Sequence, residues 1–276
     1  MRLAFSTLGV PGTPLPEVLR LAGDSGFHGV ELRAHPEEPV HPGLDAGERQ
    51  AVARRFAAAG LTLLCLAGYP RLAAPGDDAP VLAETRALLH LAHDLGAPYV
   101  RVFPGGAPDD AAGSDAAAVR RLAEAARIAE GLGVRVLLET HDSHARGADV
   151  ARVLSAVDHP GAGALWDVMH TWRGGEEPET THRLLAPYLG YVQVKDIPSR
   201  EDTTPLPPGE GVLPLADLAE VLTRATDAAT PAPGAGTGVE WLCWEYEKRW
   251  YPQVRELPGL LPGVRTHLLA LLAGAA

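Results

Sequence analysis

Lysine, cysteine and long apolar runs are scarce in this chain of 276 residues. Lys195 and Lys248 are its only lysines, no basic run occurs and the net charge is −11, so no nucleic-acid partner is expected. The two cysteines, Cys65 and Cys243, lie in predicted buried strands and lack the spacing of metal ligands, so they are expected to act as small buried hydrophobic residues rather than to form a disulfide. The expected compartment is therefore reducing, the cytoplasm. No apolar stretch reaches the length of a membrane span or of a signal-peptide core at the N-terminus, so neither a membrane partner nor export is expected.

Short apolar runs alternate with longer amphipathic ones along the whole sequence, which is typical of repeated βα units around a parallel sheet. The predicted strands are 3–6, 29–32, 62–66, 99–102, 135–139, 163–166, 191–195 and 239–244. The predicted helices are 15–23, 46–59, 81–95, 116–131, 148–157, 179–186, 215–225 and 260–272. This pattern predicts an α/β fold, a (β/α)8 TIM barrel that forms a single domain over residues 1–276. An open doubly wound sheet is the alternative, but residues 6–12 lack the Gly-x-Gly-x-x-Gly loop that it would carry.

Four segments rich in proline and glycine separate these units. The segments 70–80, 104–113 and 199–211 follow predicted strands three, four and seven, so they are expected to lie at the carboxyl face of the barrel and to cover a site there. The segment 231–238 precedes strand eight and is expected at the opposite face.

Acidic side chains stand at the ends of three predicted strands, where a barrel places its active site. Glu139 ends strand five, Asp167 follows strand six and Glu245 follows strand eight. Three carboxylates in one mouth need a cation to offset their repulsion, which predicts a divalent metal. Oxygen ligands favour Mn²⁺, Mg²⁺ or Co²⁺, and Zn²⁺ becomes an alternative if a histidine joins them. The competing interpretation treats Glu139 and Asp167 as caps and pairs Glu245 with Arg249.

Several motifs in the second half of the chain resemble a known family in their residues and in their order. They are Glu-Thr-His-Asp at 139–142, Trp-Asp-x-x-His at 166–170, Val-Gln-Val-Lys-Asp at 192–196, Pro-Gly-Glu-Gly at 208–211 and Trp-Glu-Tyr-Glu-Lys-Arg-Trp-Tyr-Pro at 244–252. The family is that of the xylose isomerase-like TIM barrels, which includes sugar-phosphate isomerases and epimerases and endonuclease IV-type enzymes. The first half adds Gly-Val-Glu-Leu-Arg at 29–33.

The resemblance implies a metal held by a glutamate, an aspartate, a histidine and a glutamate at the ends of strands five to eight. These roles fall on Glu139, Asp167, Gln193 and Glu245. Gln193 departs from the family, because its amide oxygen is a poorer ligand for Zn²⁺ than an imidazole. His170 resembles the histidine of the Asp-x-x-His motif, which binds metal in some members and substrate in others.

The remaining polar residues at the strand ends are candidates for contact with substrate. Lys195 suits a substrate oxygen; otherwise it pairs with Asp196 or Glu139. The predicted substrate-binding residues are His141, His170, Arg101, Glu31, Arg33 and Trp166. The two histidines equally suit a structural role. Three further tryptophans, at 172, 244 and 250, are expected to line the pocket or to fill space.

The function predicted from these residues is a metal-dependent isomerase or epimerase of a small polyhydroxylated carbonyl compound, a sugar, sugar phosphate or cyclitol. The metal would stabilise an enediolate, Glu139 and Glu245 would exchange the proton at carbon, and Lys195 would orient hydroxyl groups. Two alternatives stay open: a lyase, either a dehydratase or a C-glycoside-cleaving enzyme, and a non-catalytic binding barrel with a degenerate metal site. The segment 250–252 is a candidate interface for a homo-oligomer.

Overall fold

The computed structural model describes residues 1–107, 109–227 and 239–275. Its eight strands pair in parallel in the order β1 to β8, and β8 returns to pair with β1, so the sheet is a closed barrel and the predicted fold class is confirmed. The strands are β1 Arg2–Ser6, β2 Gly29–Arg33, β3 Thr62–Arg71, β4 Tyr99–Phe103, β5 Arg135–Glu139, β6 Ala162–Asp167, β7 Leu189–Val194 and β8 Trp241–Trp244.

A helix or a pair of helices follows each strand and packs outside the barrel. The helices are α1 Leu15–Asp24, α2 Ala46–Ala59, α3 Asp78–Leu95, α4 Ala111–Gly131, α5 Gly147–Val157, α6 Val168–Arg173, α7 Pro178–Leu185, α8 Leu215–Asp227 and α9 Leu257–Gly274. Four helices are followed, directly or after one more residue, by a glycine with a φ value of 65° to 75°: Gly26, Gly60, Gly96 and Gly133. These glycines therefore adopt the left-handed conformation that turns the chain back towards the barrel.

The strand bounds differ from the prediction by at most two residues, except in β3. β7 begins at Leu189, two residues earlier than predicted. β3 continues to Arg71, five residues beyond its predicted end, and pairs there with Phe103 of β4 after a shift in register. β8 begins at Trp241, two residues later than predicted. The predicted segment 231–238 lies outside the described residues.

Among the described helices, α9 is long and apolar enough to cross a membrane by length and composition, with a mean hydropathy of 1.2. In the structure it is the last helix of the barrel. Its side chains Leu257, Leu261 and Leu268 are buried in the hydrophobic cluster between the barrel and its helices. Arg265 donates a hydrogen bond of 2.9 Å to the carbonyl of Gly26, just after α1.

The core has two parts because successive side chains on a strand point to opposite sides of the sheet. The larger cluster fills the space between the barrel and its helices. The smaller one fills the barrel interior and contains Ala4, Leu64, Cys65, Leu137, Leu165, Tyr191, Trp241 and Cys243. Both cysteines are buried and free, as predicted.

One aspartate organises the loop between β7 and α8. The carboxylate of Asp196 accepts hydrogen bonds of 2.9 Å from the amides of Gly209 and Gly211, and one of 3.1 Å from the amide of Leu213. A side chain at 211 would meet the Asp196 carboxylate at 2.3 Å, so only glycine permits this approach. The Pro-Gly-Glu-Gly motif therefore holds the loop 199–211 against the carboxyl end of β7.

Candidate active site at the barrel mouth

Four strands direct polar side chains into the mouth of the barrel. In each strand the polar residue stands two positions after a residue of the interior cluster, so alternation points it inward as well. These residues are Glu139, Asp167, Gln193 and Glu245, and each is at most 4% exposed. The structure therefore brings together the four positions to which the resemblance assigned a metal.

Lys195 supplies a positive charge at the centre of this group. Its Nζ lies 2.8 Å from Oδ2 of Asp167 and contacts the carboxylates of Glu245 and Glu247. Burial alone would lower the pKa of Lys195, but the three carboxylates outweigh it and raise the pKa well above its usual value. Lys195 is therefore a permanent ammonium ion, and its three N–H donors match three acidic partners.

Gln193, Tyr191 and Glu31 form the floor below this ammonium. The amide nitrogen of Gln193 donates to both oxygens of Glu31, at 3.0 and 2.9 Å, and to Oε1 of Glu245 at 3.2 Å. The Tyr191 hydroxyl also donates to Glu31. Burial, with the nearby Glu245, raises the pKa of Glu31. Glu31, predicted to bind substrate, is fully buried and belongs to this floor.

A second cation, Arg101, lies beside Glu139. Its Nη1 is 3.3 Å from Oε2 of Glu139, and its guanidinium stacks 3.9 Å from the centre of the Phe103 ring. Burial raises the pKa of Glu139 to about 8, although Arg101 opposes the shift. Glu139 is thus an acid that can gain or lose a proton near neutral pH.

His141 and His170 approach each other beside Glu139, and their ring centres are 4.1 Å apart. Nδ1 of His141 lies 2.8 Å from Oδ1 of Asp142, and this contact raises the pKa of His141 against the effect of burial. Burial, with the nearby His141 and Lys195, lowers the pKa of His170 well below its usual value. His170 is therefore a neutral imidazole.

The four-residue set implied by the resemblance does not fit a divalent ion in this arrangement. The Lys195 ammonium fills the space between Asp167 and Glu245 and would repel a second cation held by both. Gln193 directs its N–H donors at Glu31 and Glu245, the orientation that two carboxylates require, and these donors would also repel a cation. A different set, Glu139, His141 and His170, offers one ligand atom from each residue, and these atoms lie within 4.8 Å of one another.

Trp166 does not line the mouth, contrary to the prediction. Asp167 points inward, so its neighbour Trp166 points outward, where it is fully buried in the layer between the barrel and the helices. Its Nε1 donates to Oγ1 of Thr171 at 2.9 Å. Trp244 lies in the same outer layer, whereas Trp250 is 51% exposed.

Arg33 lies at the mouth with its charge already paired. Its Nη1 is 2.7 Å from Oε1 of Glu38, and its Nε donates to the Tyr69 hydroxyl at 2.8 Å. Glu245 does not pair with Arg249, the pairing considered from the sequence. Glu245 pairs with Lys195, and Arg249 pairs with Glu37.

Sequence reasoning missed the roles of Tyr191 and Glu247. Tyr191, Gln193 and Lys195 are alternate residues of one segment, and this spacing alone predicts that they share the barrel interior. Glu247 lies beyond the end of β8, and its contact with Lys195 depends on the path of the loop, which no local pattern reveals.

Comparison with known proteins gives one family and many similar folds. The model of the xylose isomerase-like TIM barrel family matches residues 19–234. No curated protein matches the chain.

Solved structures resemble the chain over nearly its whole length. D-psicose 3-epimerase from Clostridium cellulolyticum H10, solved with D-tagatose, has a TM-score of 0.81 at 16% identity and covers 99% of both chains. The IolI protein, solved with a zinc atom, has a TM-score of 0.78 at 15% identity and covers 100% of this chain and 99% of its own. The probable 3-DHS dehydratase AsbF from Bacillus anthracis has a TM-score of 0.77 at 16% identity and covers 98% of this chain and 99% of its own. At these identities the likeness shows the fold.

Proposed function

The chain belongs to the xylose isomerase-like TIM barrel family, and from that premise we propose that it is an enzyme that isomerises or epimerises a small polyhydroxylated carbonyl compound. The reaction moves a proton at the carbon next to the carbonyl group and passes through an enediolate. The expected substrates are sugars, sugar phosphates and cyclitols, and the expected location is the cytoplasm.

One observation carries the proposal: two buried glutamates at the mouth each lie beside a fixed cation. Glu139 lies beside Arg101, and Glu245 is in contact with Lys195. Removing a proton from carbon needs a carboxylate as base, and returning it on another face or another carbon needs an acid. The charge that develops on the substrate oxygen needs a positive group that is already in place, and both cations meet that need.

The acid–base roles follow from these surroundings. Lys195 and the amide of Gln193 both donate hydrogen bonds to Glu245 and fix its position, and we assign it the role of the base. Glu139, with a pKa of about 8, suits a group that alternates between acid and base near neutral pH. Lys195 is buried, charged and already paired with three carboxylates, so it suits electrostatic stabilisation of a negative substrate oxygen nearby rather than proton transfer.

The similar structures support the same class of reaction through their names. They include a D-psicose 3-epimerase, an L-ribulose 3-epimerase and a 3-keto-D-glucoside 4-epimerase from E. coli. The probable dehydratase AsbF favours a second candidate, elimination of water from a hydroxy-carbonyl compound, which begins with the same removal of a proton. The two reactions differ in their product.

Exchange of carbon-bound hydrogen with D₂O, followed by NMR over a panel of ketoses, their phosphates and cyclitols, tests the proposal directly. We expect exchange with at least one compound, loss of exchange in Glu245→Gln and Glu139→Gln, and unchanged exchange in Glu240→Gln. Glu240 precedes β8 and its side chain is 63% exposed, so it is the matched control. Full exchange in Glu245→Gln would refute the mechanism, and an unsaturated product would assign elimination instead.

A further inference from the structure

The ammonium group of Lys195 lies where the family resemblance implies a metal ion. Its Nζ lies 2.8 Å from Oδ2 of Asp167 and contacts carboxylate oxygens of Glu245 and Glu247. A hard divalent ion such as Mn²⁺ needs the same surroundings, several oxygen ligands around one positive centre. The position between these acids is therefore taken by a cation that belongs to the chain.

The buried position of Lys195 keeps its ammonium group between the acids. The side chain is 2% exposed, so an ammonium that left the acids would be buried without a partner, which is strongly disfavoured. The backbone is held as well, because the next residue, Asp196, accepts from the amide of Gly209 through its side chain and from the amide of Leu206 through its carbonyl. A divalent ion would have to displace this ammonium in order to bind.

Gln193 presents the wrong end of its amide to a metal. Its NH₂ group donates to both oxygens of Glu31, at 3.0 and 2.9 Å, and to Oε1 of Glu245 at 3.2 Å. The orientation of an amide follows from its partners, and both partners here are carboxylates, which accept hydrogen bonds. A flip that turned the amide oxygen towards Glu245 would break these bonds and set oxygen against oxygen. Gln193 thus bridges two acids.

Glu139, the remaining position of the implied set, faces a second cation of the chain. Nη1 of Arg101 lies 3.3 Å from Oε2 of Glu139, and the guanidinium is held in place by stacking 3.9 Å from the centre of the Phe103 ring. A divalent ion shared by Glu139, His141 and His170 would lie beside this guanidinium and would be repelled by it. The histidine side of the mouth is therefore closed to an ion in the same way as the centre.

The fifth acid of the mouth, Glu31, needs no ion either. The hydroxyl of Tyr191 and the amide of Gln193 both donate to it. Each described carboxylate of the mouth thus has a hydrogen-bond donor or a cation within the chain, so none depends on an ion from solution for its partner.

We infer that the mouth of this barrel binds no divalent ion and that the ammonium of Lys195 takes the place of one. The inference departs from the metal that the resemblance implies, and the residue that marks the departure in the sequence is Gln193. Its consequence for catalysis rests on the proposed function: Lys195 and Arg101 then provide the positive charge near the substrate oxygen without a cofactor.

Metal content and thermal unfolding of the full chain test the inference without substrate. The purified chain is treated with a chelator, dialysed against Mn²⁺, Co²⁺ or Zn²⁺, desalted and analysed for metal. We expect no stoichiometric metal and the same Tm with and without each ion, because an ion that bound the folded chain would raise the Tm.

The variant Lys195→Ala should create the site that the natural chain lacks. Without the ammonium, three carboxylates surround an empty space, so we expect about one Mn²⁺ per chain and an affinity at least about 100-fold higher than that of the natural chain. Lys248→Ala is the matched control. Lys248 is the other lysine, its side chain is 10% exposed, and its Nζ donates to the carbonyls of Pro252 and Val254, so this variant should gain no metal.

Two results would overturn the inference. One is a stoichiometric ion in the natural chain that is lost in Asp167→Asn or Glu139→Gln, and the other is a Lys195→Ala variant that circular dichroism shows to be folded and that binds no metal. If Lys195→Ala does not fold, the natural chain alone decides. An ion that both acid variants keep lies outside the mouth and agrees with the inference.

The D₂O exchange experiment separates this inference from the proposed function. Exchange that continues in the presence of a chelator supports both. Exchange that stops with the chelator and returns with Mn²⁺ would overturn the inference and support the reaction. If no compound exchanges, the proposed reaction is refuted, and the metal content still decides the inference.

Discussion

Replacing Arg121 by methionine should show how much one buried arginine stabilises the loop that follows β3. Arg121 stands on α4, is 1% exposed and donates to four acceptors around that loop. Its Nε bonds to Asp78 at 2.7 Å, its Nη1 to the carbonyls of Leu72 and Ala74 at 3.1 and 2.7 Å, and its Nη2 to the carbonyl of Gly76 at 2.6 Å. These contacts tie residues 72–78 to the helix behind them.

The expected cost follows from what each acceptor retains after the substitution. Asp78 keeps Arg120, which donates to it at 2.6 and 2.7 Å, so this carboxylate is not left unpaired. The carbonyl of Gly76 can reach water, but that of Leu72 stays buried without a donor. Methionine keeps most of the apolar stem. We therefore expect a loss of about 1 to 3 kcal/mol in the free energy of unfolding, the range for leaving a buried polar group without its hydrogen-bond partner.

Arg120 provides the matched control, because it binds the same carboxylate from the same helix but its side chain is 57% exposed. Arg120→Met should cost far less, since solvent screens an exposed pair. Urea unfolding followed by circular dichroism measures both variants, with equal m-values required for the comparison. Equal losses in the two variants, or a loss below about 1 kcal/mol in Arg121→Met, would refute the reasoning.

Hydrogen bonds from Arg120 and Arg121 lower the pKa of Asp78, so this carboxylate stabilises the folded state only while it is ionised. The natural chain should therefore be more stable than Asp78→Asn at pH 7, and this difference in the free energy of unfolding should fall as the pH drops below about 4. Asp196→Ala should cost about 2 to 3 kcal/mol and speed proteolysis within the loop 199–211, because three loop amides lose their acceptor; an unchanged cleavage rate would show that the loop is held by other contacts. Gly68→Ala should cost about 1 to 3 kcal/mol in urea unfolding, because the added Cβ would lie 2.3 Å from Cδ1 of Leu88. An unchanged midpoint would show that Leu88 moves aside freely.

The fold was predictable because its signals are local. Buried strands, amphipathic helices and left-handed glycines such as Gly60 and Gly96 each reveal themselves within a few residues. The helix α6 was missed because six residues are too few to show a helical period, and its start depends on capping by Asp167. The sequence predicts a β3 that ends before Pro70, because proline usually breaks a strand, yet a proline is tolerated where the register of the strand shifts.

The site was predictable to the extent that strand alternation decides it. The alternation of side chains along a strand places Glu139, Asp167 and Glu245 in one mouth. The same alternation places Trp166, the neighbour of Asp167, on the outside of the barrel. The ion pairs were not predictable, because they join groups such as Glu37 and Arg249 that are distant in sequence and lie in loops. Alternation gives the direction of a side chain, and only the closed barrel gives its partner.

Lys195 explains why acids from three strands can share the mouth. Only two of the 24 basic residues of the chain are lysines, so the lysine at 195 is an exception among them. The shape of its ammonium group gives a physical reason for this exception. An ammonium group is compact and offers three donors in different directions, which suits Asp167, Glu245 and Glu247 around one point, whereas a planar guanidinium pairs best with one carboxylate at a time. The positive charge that the sequence led us to expect between these acids is thus supplied by the chain itself.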